Sequence, residues 1–329
     1  MLPPLVLLPS VLPLRANPLS LLSALYLSIY LFWCSGQWMT ELDGGSDVGS
    51  GCQTMATPID PSGAESEGWA DTKLTGYKWF SSATDANMAF ALARESAAGG
   101  AEAPIGGSRG LSLFYVEVRE DHGGRGGGGT QARTTIRLKR LKDKLGTRQL
   151  PTAELELVGV PAARASRKGR GVARISEMMN ITRVHNAITA SSYMRRISDI
   201  TADYACRRSV FVKPLCEQPL AVAILAHFEV HARASLALTM EAVFCLGVAE
   251  SGEKFGTRDE KAMLRVLTPL AKLFTAKQVV WAASEGLEFF GGQGYIEKTG
   301  IPGKIALSHE ILPSFCHNSP PILSPLMIA

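Results

Sequence analysis

From Gly171 onward the spacing of apolar residues changes period, and this change constrains the fold more than any single motif. Up to about residue 165, short apolar runs alternate with turn signals. After Gly171, apolar residues recur at every third and fourth position through Val172 to Arg208, Leu220 to Val248 and Glu260 to Phe290. That recurrence lines one face of a helix. Helices this long and this apolar bury more than one face each, which predicts a bundle that also builds an oligomer. Pro214 and Pro219 fill the first connection, Asp259 and Glu260 suit the N-terminus of the third helix, and Pro269 is expected to kink it. The run Gly291-Gly292-Gln293-Gly294 stops it.

The preceding part reads as β, so the fold class is α+β. Strand candidates are Lys78–Phe80, Met88–Ala93, Leu111–Val118, Thr134–Leu138 and Ala153–Val158. Ser96–Gly110 and Asp121–Gln131 are flexible spacers rich in Gly and Ala. Within Leu74–Ser82 the alternation breaks at Thr75-Gly76, which predicts two short strands around a tight corner. A Trp followed by serines, as at Trp79, Ser81 and Ser82, suits a flat heterocycle: the ring stacks and a hydroxyl meets the edge. Core or surface packing is the plainer reading of the same Trp. Trp38 to Asp47 is a polar loop in which Gly44 and Gly45 allow close backbone approach. Ser46 and Asp47 either cap the next element of the chain or contact a phosphate, and an ordinary turn is the plainer reading of the stretch.

Residues 1–36 are atypical, with Arg15 the only charge before Glu41. Leu19 to Cys34 is apolar but shorter than the roughly 20 residues a membrane span needs. A membrane anchor or uncleaved signal, a buried helix at a domain edge and a non-native start all fit, so membrane contact through 19–34 stays open. The net charge of +4 does not by itself point to nucleic acid. Six cysteines without a CxxC pair read as reduced, mostly buried thiols in an intracellular compartment. The basic run Arg133 to Arg148 suits either a polyanion or a solvated strand face. His227 and His231 flank Glu229 on one helix but do not form HExxH, and read as core or surface histidines, with no metal site. The chain shows no GxxxxGK[ST] phosphate loop, no GxSxG elbow and no GxGxxG after a strand with an acidic residue downstream. This leaves P-loop, hydrolase and Rossmann dehydrogenase readings unsupported.

Five segments occur in an informative order: MTELDGGSD, GYKWFSS, KDKLGTRQLPTAEL, RRSVFVKPL and FFGGQGYIEKTGIP. Together they resemble the acyl-CoA dehydrogenase family of flavoproteins, and within it the alkylation-response subgroup, whose bacterial members also bind DNA. The resemblance covers roughly Gly36 to Leu312. It implies a barrel-like middle β domain over 37–165 and a C-terminal helical bundle over 171–329, assembled as a dimer or tetramer. It also implies a member shortened at both ends, with the N-terminal helical domain largely missing and the bundle incomplete. Cytoplasm or mitochondrion would be the compartment.

The resemblance implies FAD as cofactor and acyl-CoA as substrate. Carried over motif by motif, Thr40 meets the flavin ring, Ser46 the phosphates, Trp79 shields one flavin face and Ser81 bonds near the reactive nitrogen. Arg208 and Phe211 match residues that reach the FAD of a neighbouring subunit. Glu288 and Gly292 match the bundle's contact with the adenosine or pyrophosphate part. The family removes the α-proton with a glutamate while hydride passes to the flavin. Here Cys316 stands in the glutamate's usual register, and Thr182 occupies the alternative family position before Arg183. Val212 replaces the glycine that ends the family's RxxFG, and Gly303 replaces an Arg after GIP. The resemblance thus leaves three readings: an acyl-CoA dehydrogenase, a DNA-associated flavoprotein, and a non-catalytic homologue. The electron acceptor is not named by the sequence.

Overall fold

The computed structural model describes residues 34–45, 47–59, 69–95, 106–120, 131–144, 146–251 and 258–296. The apolar start, Ser46, most of the Asp121–Gln131 spacer, Cys316 and everything after 296 lie outside the described residues. The rest falls into two compact units divided between Ser176 and Glu177, with 144–148 counted in the second.

The first unit is a closed sheet. Its strands are β1 (Ser35–Trp38), β2 (Met55–Pro58), β3 (Thr72–Ser82), β4 (Met88–Glu95) and β5 (Leu111–Glu117). The short β6 (Arg119–Glu120) and β7 (Gln131–Ala132) pair as a separate ribbon, and β8 (Ile136–Leu141) and β9 (Thr152–Arg164) complete the sheet. The order β4-β2-β3-β9-β5 returns to β4, which closes the ring; β1 extends β4 and β8 extends β9. Closure removes most of the free sheet edge. The interior is filled by Trp38, Leu74, Phe114, Val116, Leu155, Leu157 and Val160, with Ala89, Ala91 and Ala93 keeping β4 slim.

One expectation is corrected here. Residues 72–82 form a single eleven-residue strand rather than two strands around a corner. The irregularities at Leu74/Gly76 and Lys78/Ser81 are bulges in the pairing with β9, which the alternation alone reads as breaks. Gly76 has a different purpose from a turn. A Cβ there would lie 2.4 Å from Thr54 Oγ1, so glycine lets the two backbones touch.

The second unit is built on α2 (Gly171–Arg207), α3 (Pro219–Glu250) and α4 (Arg258–Phe289), preceded in the chain by the one-turn α1 (Val48–Gly51) and followed by α5 (Gly292–Tyr295). The helical stretches agree with the sequence periodicity to within two residues. Their core joins Met194 and Ile197 of α2, Phe228 and Ala232 of α3, and Val279, Ala282 and Ala283 of α4. Alanines at these contacts let the helix axes approach closely. α4 runs through Pro269. α3 is long and apolar enough to cross a membrane by composition, with 28% of its most apolar window buried. Among the described residues the thiols are not mostly buried: Cys34 and Cys206 are exposed and Cys216 half-buried, whereas Cys52 and Cys245 are buried.

Candidate functional site

The loop after β1 and the middle of β3 are locked together. The amide of Trp79 donates to the Thr40 carbonyl at 2.9 Å. Beside this bond, the Lys78 ammonium donates to Glu41 Oε1 at 2.6 Å and to the Leu92 carbonyl at 2.7 Å. Lys78 is fully buried and Glu41 is 5% exposed. Glu41 also accepts from the amides of Gln53 at 2.6 Å and Thr54 at 3.2 Å, and from Thr54 Oγ1 at 2.5 Å. Burial alone would raise the pKa of this carboxyl. The charge of Lys78, with hydrogen bonds from Lys78, Thr54 and Gln53, outweighs burial and holds it below the usual carboxylate value. Cys52 Sγ joins the cluster at 3.2 Å from Glu41, and its pKa is pushed up to about 11, chiefly by burial.

Thus two predicted residues, Thr40 and Trp79, are chain neighbours of the two ends of one buried ion pair. Lys78 and Glu41 were not singled out by sequence reasoning. The available signal was a lysine at an inward register of a strand, which requires a counter-charge.

Ser81 is the third predicted residue placed here. The bulge between Lys78 and Ser81 shifts the inward register, so both side chains are buried although three positions apart. Ser81 Oγ is buried and has no hydrogen-bond partner among the described residues. A buried hydroxyl of this kind carries a desolvation cost unless something else meets it. Trp79 is half-buried, and the Lys142 ammonium lies 3.2 Å from the centroid of its ring. Lys142 also donates to Glu154 Oε1 at 2.6 Å, while Tyr77 donates to Glu154 Oε2 at 2.6 Å. Those two bonds draw the Glu154 carboxyl below its usual pKa, with Lys142 the larger cause.

The loop continues into α1. Asp47 accepts from the Ser50 amide at 3.3 Å, so of its two predicted roles it caps the helix. A Cβ on Gly51 would lie 2.1 Å from the Gly44 Cα, the close approach expected of this glycine-rich stretch. Buried Arg94 ties the segment down through the carbonyls of Gly49, Cys52 at 2.8 Å and Gly107 at 3.2 Å.

The remaining predicted residues are in the second unit. Arg208 follows α2, its amide bonded to the Tyr204 carbonyl at 2.9 Å, and enters a hairpin of β10 (Ser209–Val210) and β11 (Lys213–Pro214). Phe211 forms the hairpin tip with Val212 and is 92% exposed. Glu288 is exposed in the last turn of α4, and Gly292 opens α5. These two groups share one end of the bundle. The Tyr204 ring lies 4.7 Å from that of Phe290 and 6.5 Å from that of Phe289.

Thr182 is exposed, and its hydroxyl donates to the Met178 carbonyl at 3.2 Å. His227 and His231 lie against the Trp281 ring, at 6.3 and 5.1 Å, and Glu229 pairs instead with Arg195 and Arg233, each at 2.5 Å. The basic run faces carboxylates across the β8–β9 ladder. Lys139 and Arg137 meet Glu156 at 2.7 and 3.6 Å, and Lys142 meets Glu154. Arg137 and Lys139 stay largely exposed on that strand face, their charge partly neutralised by Glu156.

Comparison with known proteins gives a consistent picture. Residues 36–160 match the acyl-CoA dehydrogenase middle domain and residues 169–311 the acyl-CoA dehydrogenase C-terminal domain. The chain is 49% identical over 271 residues to acyl-CoA dehydrogenase family member 11 of Caenorhabditis elegans, across 82% of this chain and 40% of the relative. It is 30% identical over 267 residues to the putative acyl-CoA dehydrogenase AidB of Escherichia coli K12, across 81% of this chain and 43% of the relative. The crystal structure of Caenorhabditis elegans ACDH-11 in complex with C11-CoA is similar with a TM-score of 0.76 and 44% identity. That match covers 90% of this chain and 46% of the other. The chain therefore spans less than half the length of the curated relatives it matches. The much higher identity to the worm protein than to AidB overturns the expected place in the alkylation-response subgroup, and the DNA-associated reading drawn from it is withdrawn.

Proposed function

Since the chain belongs to the acyl-CoA dehydrogenase family, we propose that it holds FAD and serves the α,β-dehydrogenation of an acyl-CoA thioester. The observation that carries this reading is Ser81, a fully buried hydroxyl without a partner among the described residues, two positions from Trp79 and joined through it to Thr40. An aromatic ring, an unmet hydroxyl and a loop pinned beside them suit a planar heterocycle with polar edges. Thr40, Trp79 and Ser81 would hold the flavin ring, with Ser46 toward its phosphates. Arg208 and Phe211 would reach the FAD of a neighbouring subunit, and Glu288 and Gly292 would meet the adenosine or pyrophosphate part of a cofactor. FAD, when bound, supplies the hydride acceptor.

The chain's own residues fix the geometry of that reading. The Lys78–Glu41 pair holds the Thr40 loop against β3 without adding net charge. The fork of Arg208 suits a diphosphate through paired hydrogen bonds. At the family's two positions for the proton-abstracting glutamate, this chain has Cys316 and Thr182. Thr182 already donates to its own helix backbone. That observation favours a second reading, a flavoprotein that binds but does not dehydrogenate. Because the worm relative was crystallised with C11-CoA, a ligand of that length is the first substrate to try. Self-association as a dimer or tetramer is supported by exposed Val230, Met240 and Phe244 on α3 and Val266 on α4.

The test is the visible spectrum of the purified chain after incubation with FAD, followed by anaerobic addition of an acyl-CoA series that includes C11-CoA. Retained flavin absorbance that bleaches on addition supports the dehydrogenase. Retained absorbance without bleaching selects the non-catalytic flavoprotein. Folded protein that takes up no FAD overturns both.

A further inference from the structure

Lys142 stands apart from the other lysines and arginines of the basic run. Arg137 and Lys139 are 59% and 45% exposed, whereas Lys142 is 16% exposed and its partner Glu154 9%. A charge withdrawn this far from water needs partners that offset the loss of hydration. Three strands supply them. Lys142 lies one residue beyond β8, and its amide donates to the Thr152 carbonyl of β9 at 2.8 Å. A bulge between Leu138 and Arg140 shifts the β8–β9 register. Arg140 is therefore the backbone partner of Glu154, while Lys142 delivers the ammonium to Glu154 Oε1 at 2.6 Å. Tyr77 of β3 holds the other carboxylate oxygen at 2.6 Å. A carboxylate gripped on both oxygens leaves the lysine little freedom to swing away.

The same ammonium lies 3.2 Å from the centroid of the Trp79 ring. At that distance the nitrogen stands over the face of the ring, because an in-plane approach would collide with the ring's own hydrogens. This is the geometry of a cation–π contact, and the shortage of water around Lys142 strengthens it. Two consequences follow for the indole. The ring cannot turn without losing the cation. No planar group can stack on the covered face while the ammonium is there, so a stacking partner has only the opposite face.

We propose that Lys142 is the positioning residue for Trp79: it closes one face of the indole and presents the other to the flavin ring. The inference rests on the flavin reading of Trp79 and deepens it by naming the side chain that orients the ring. Glu154 and Tyr77 act one step further back, by holding the lysine. Because Glu154 balances the charge of Lys142, the contribution of the cluster is orientation rather than a net field at the cofactor. A lysine that served only to tie β8 to β9 through Glu154 would give the same ion pair, but its removal would not act through Trp79.

The experiment combines fluorine NMR of the full chain labelled with fluorotryptophan and FAD titration of the unlabelled chain. The chain has five tryptophans, and the Trp79 line is identified by its loss in Trp79→Phe. In Lys142→Met the Trp79 line is expected to shift or broaden while the other lines hold. The Kd for FAD is expected to rise about fivefold, the affinity equivalent of a partly buried cation–π contact. Lys142→Arg, whose guanidinium also stacks on aromatic faces, should restore most of both. Lys142→Gln keeps a donor for Glu154 without a charge over the ring; it is read in the same way and guards against a methionine variant that does not fold. In a Trp79→Leu background, Lys142→Met should no longer change the Kd. A loss of equal size in that background would make Lys142 a merely structural residue and overturn the proposal, as would an unmoved Trp79 line. A native chain that takes up no FAD brings down the flavin reading and this inference together. A native chain that binds FAD while Lys142→Met binds it as tightly brings down this inference alone.

Discussion

Lys78 and Glu41 meet at 2.6 Å in the barrel, with 0% and 5% of their side chains exposed. One precedes Trp79 and the other follows Thr40, so the ion pair fixes the separation of the two residues proposed to face the flavin ring. Removing only Lys78 leaves a buried carboxylate without its counter-charge. Lys78→Met is expected to lower stability by about 3–5 kcal/mol. Combining it with Glu41→Gln, which keeps an acceptor for Gln53 and Thr54, is expected to recover a substantial part. Urea midpoints of the single and double variants decide the matter; equal losses would mean that the uncompensated charge is not the cause.

Ser81→Ala separates the cofactor role from a packing role. The hydroxyl is buried and unmet among the described residues, so its removal is expected to leave stability unchanged or slightly higher. FAD affinity is expected to fall by about tenfold, the worth of one hydrogen bond of roughly 1.4 kcal/mol. Thermal midpoint of the FAD-free chain and FAD titration are measured side by side. An unchanged dissociation constant would remove Ser81 from the site.

Acid should unpick the bundle at Glu229. Hydrogen bonds from Arg233 and then Arg195 draw its carboxyl down to about 2 from an ordinary 4.5. A folded-state value below the unfolded one stabilises above the unfolded value, and the gain is lost as pH falls from 4.5 toward about 2. Glu229 is 33% exposed, so each of its two pairs contributes at most about 1 kcal/mol after solvent screening. The stability difference between the native chain and Glu229→Gln should therefore be present at neutral pH and shrink through that window. A difference that does not change with pH would assign the effect to packing.

Val212→Gly is expected to stabilise the second unit. Glycine adopts φ near 68° freely, and the strain of a non-glycine residue there is of order 1–3 kcal/mol. The added freedom of glycine in the unfolded chain costs about 0.5–1 kcal/mol, leaving a net gain of about 1 kcal/mol. A lower thermal midpoint in the variant would show that the turn is not strained as described.

The periodicity of the sequence determined the three long helices and the strand-rich part before them, because a helix or strand writes its spacing into residues close together in the chain. Thr40, Trp79 and Ser81 stood out as candidates for a related reason: each belongs to a short contiguous motif. What joins them was not legible. The Lys78–Glu41 pair bridges 37 positions. The inward turn of Ser81 depends on a bulge defined only by pairing with β9. The same pairing made one continuous strand of what the broken alternation had split, and set Glu154 and Glu156 opposite a basic run that looked free. Strand register and bulge position are properties of segments facing one another. Only tertiary structure decides them, since no residue's neighbours in sequence carry that information.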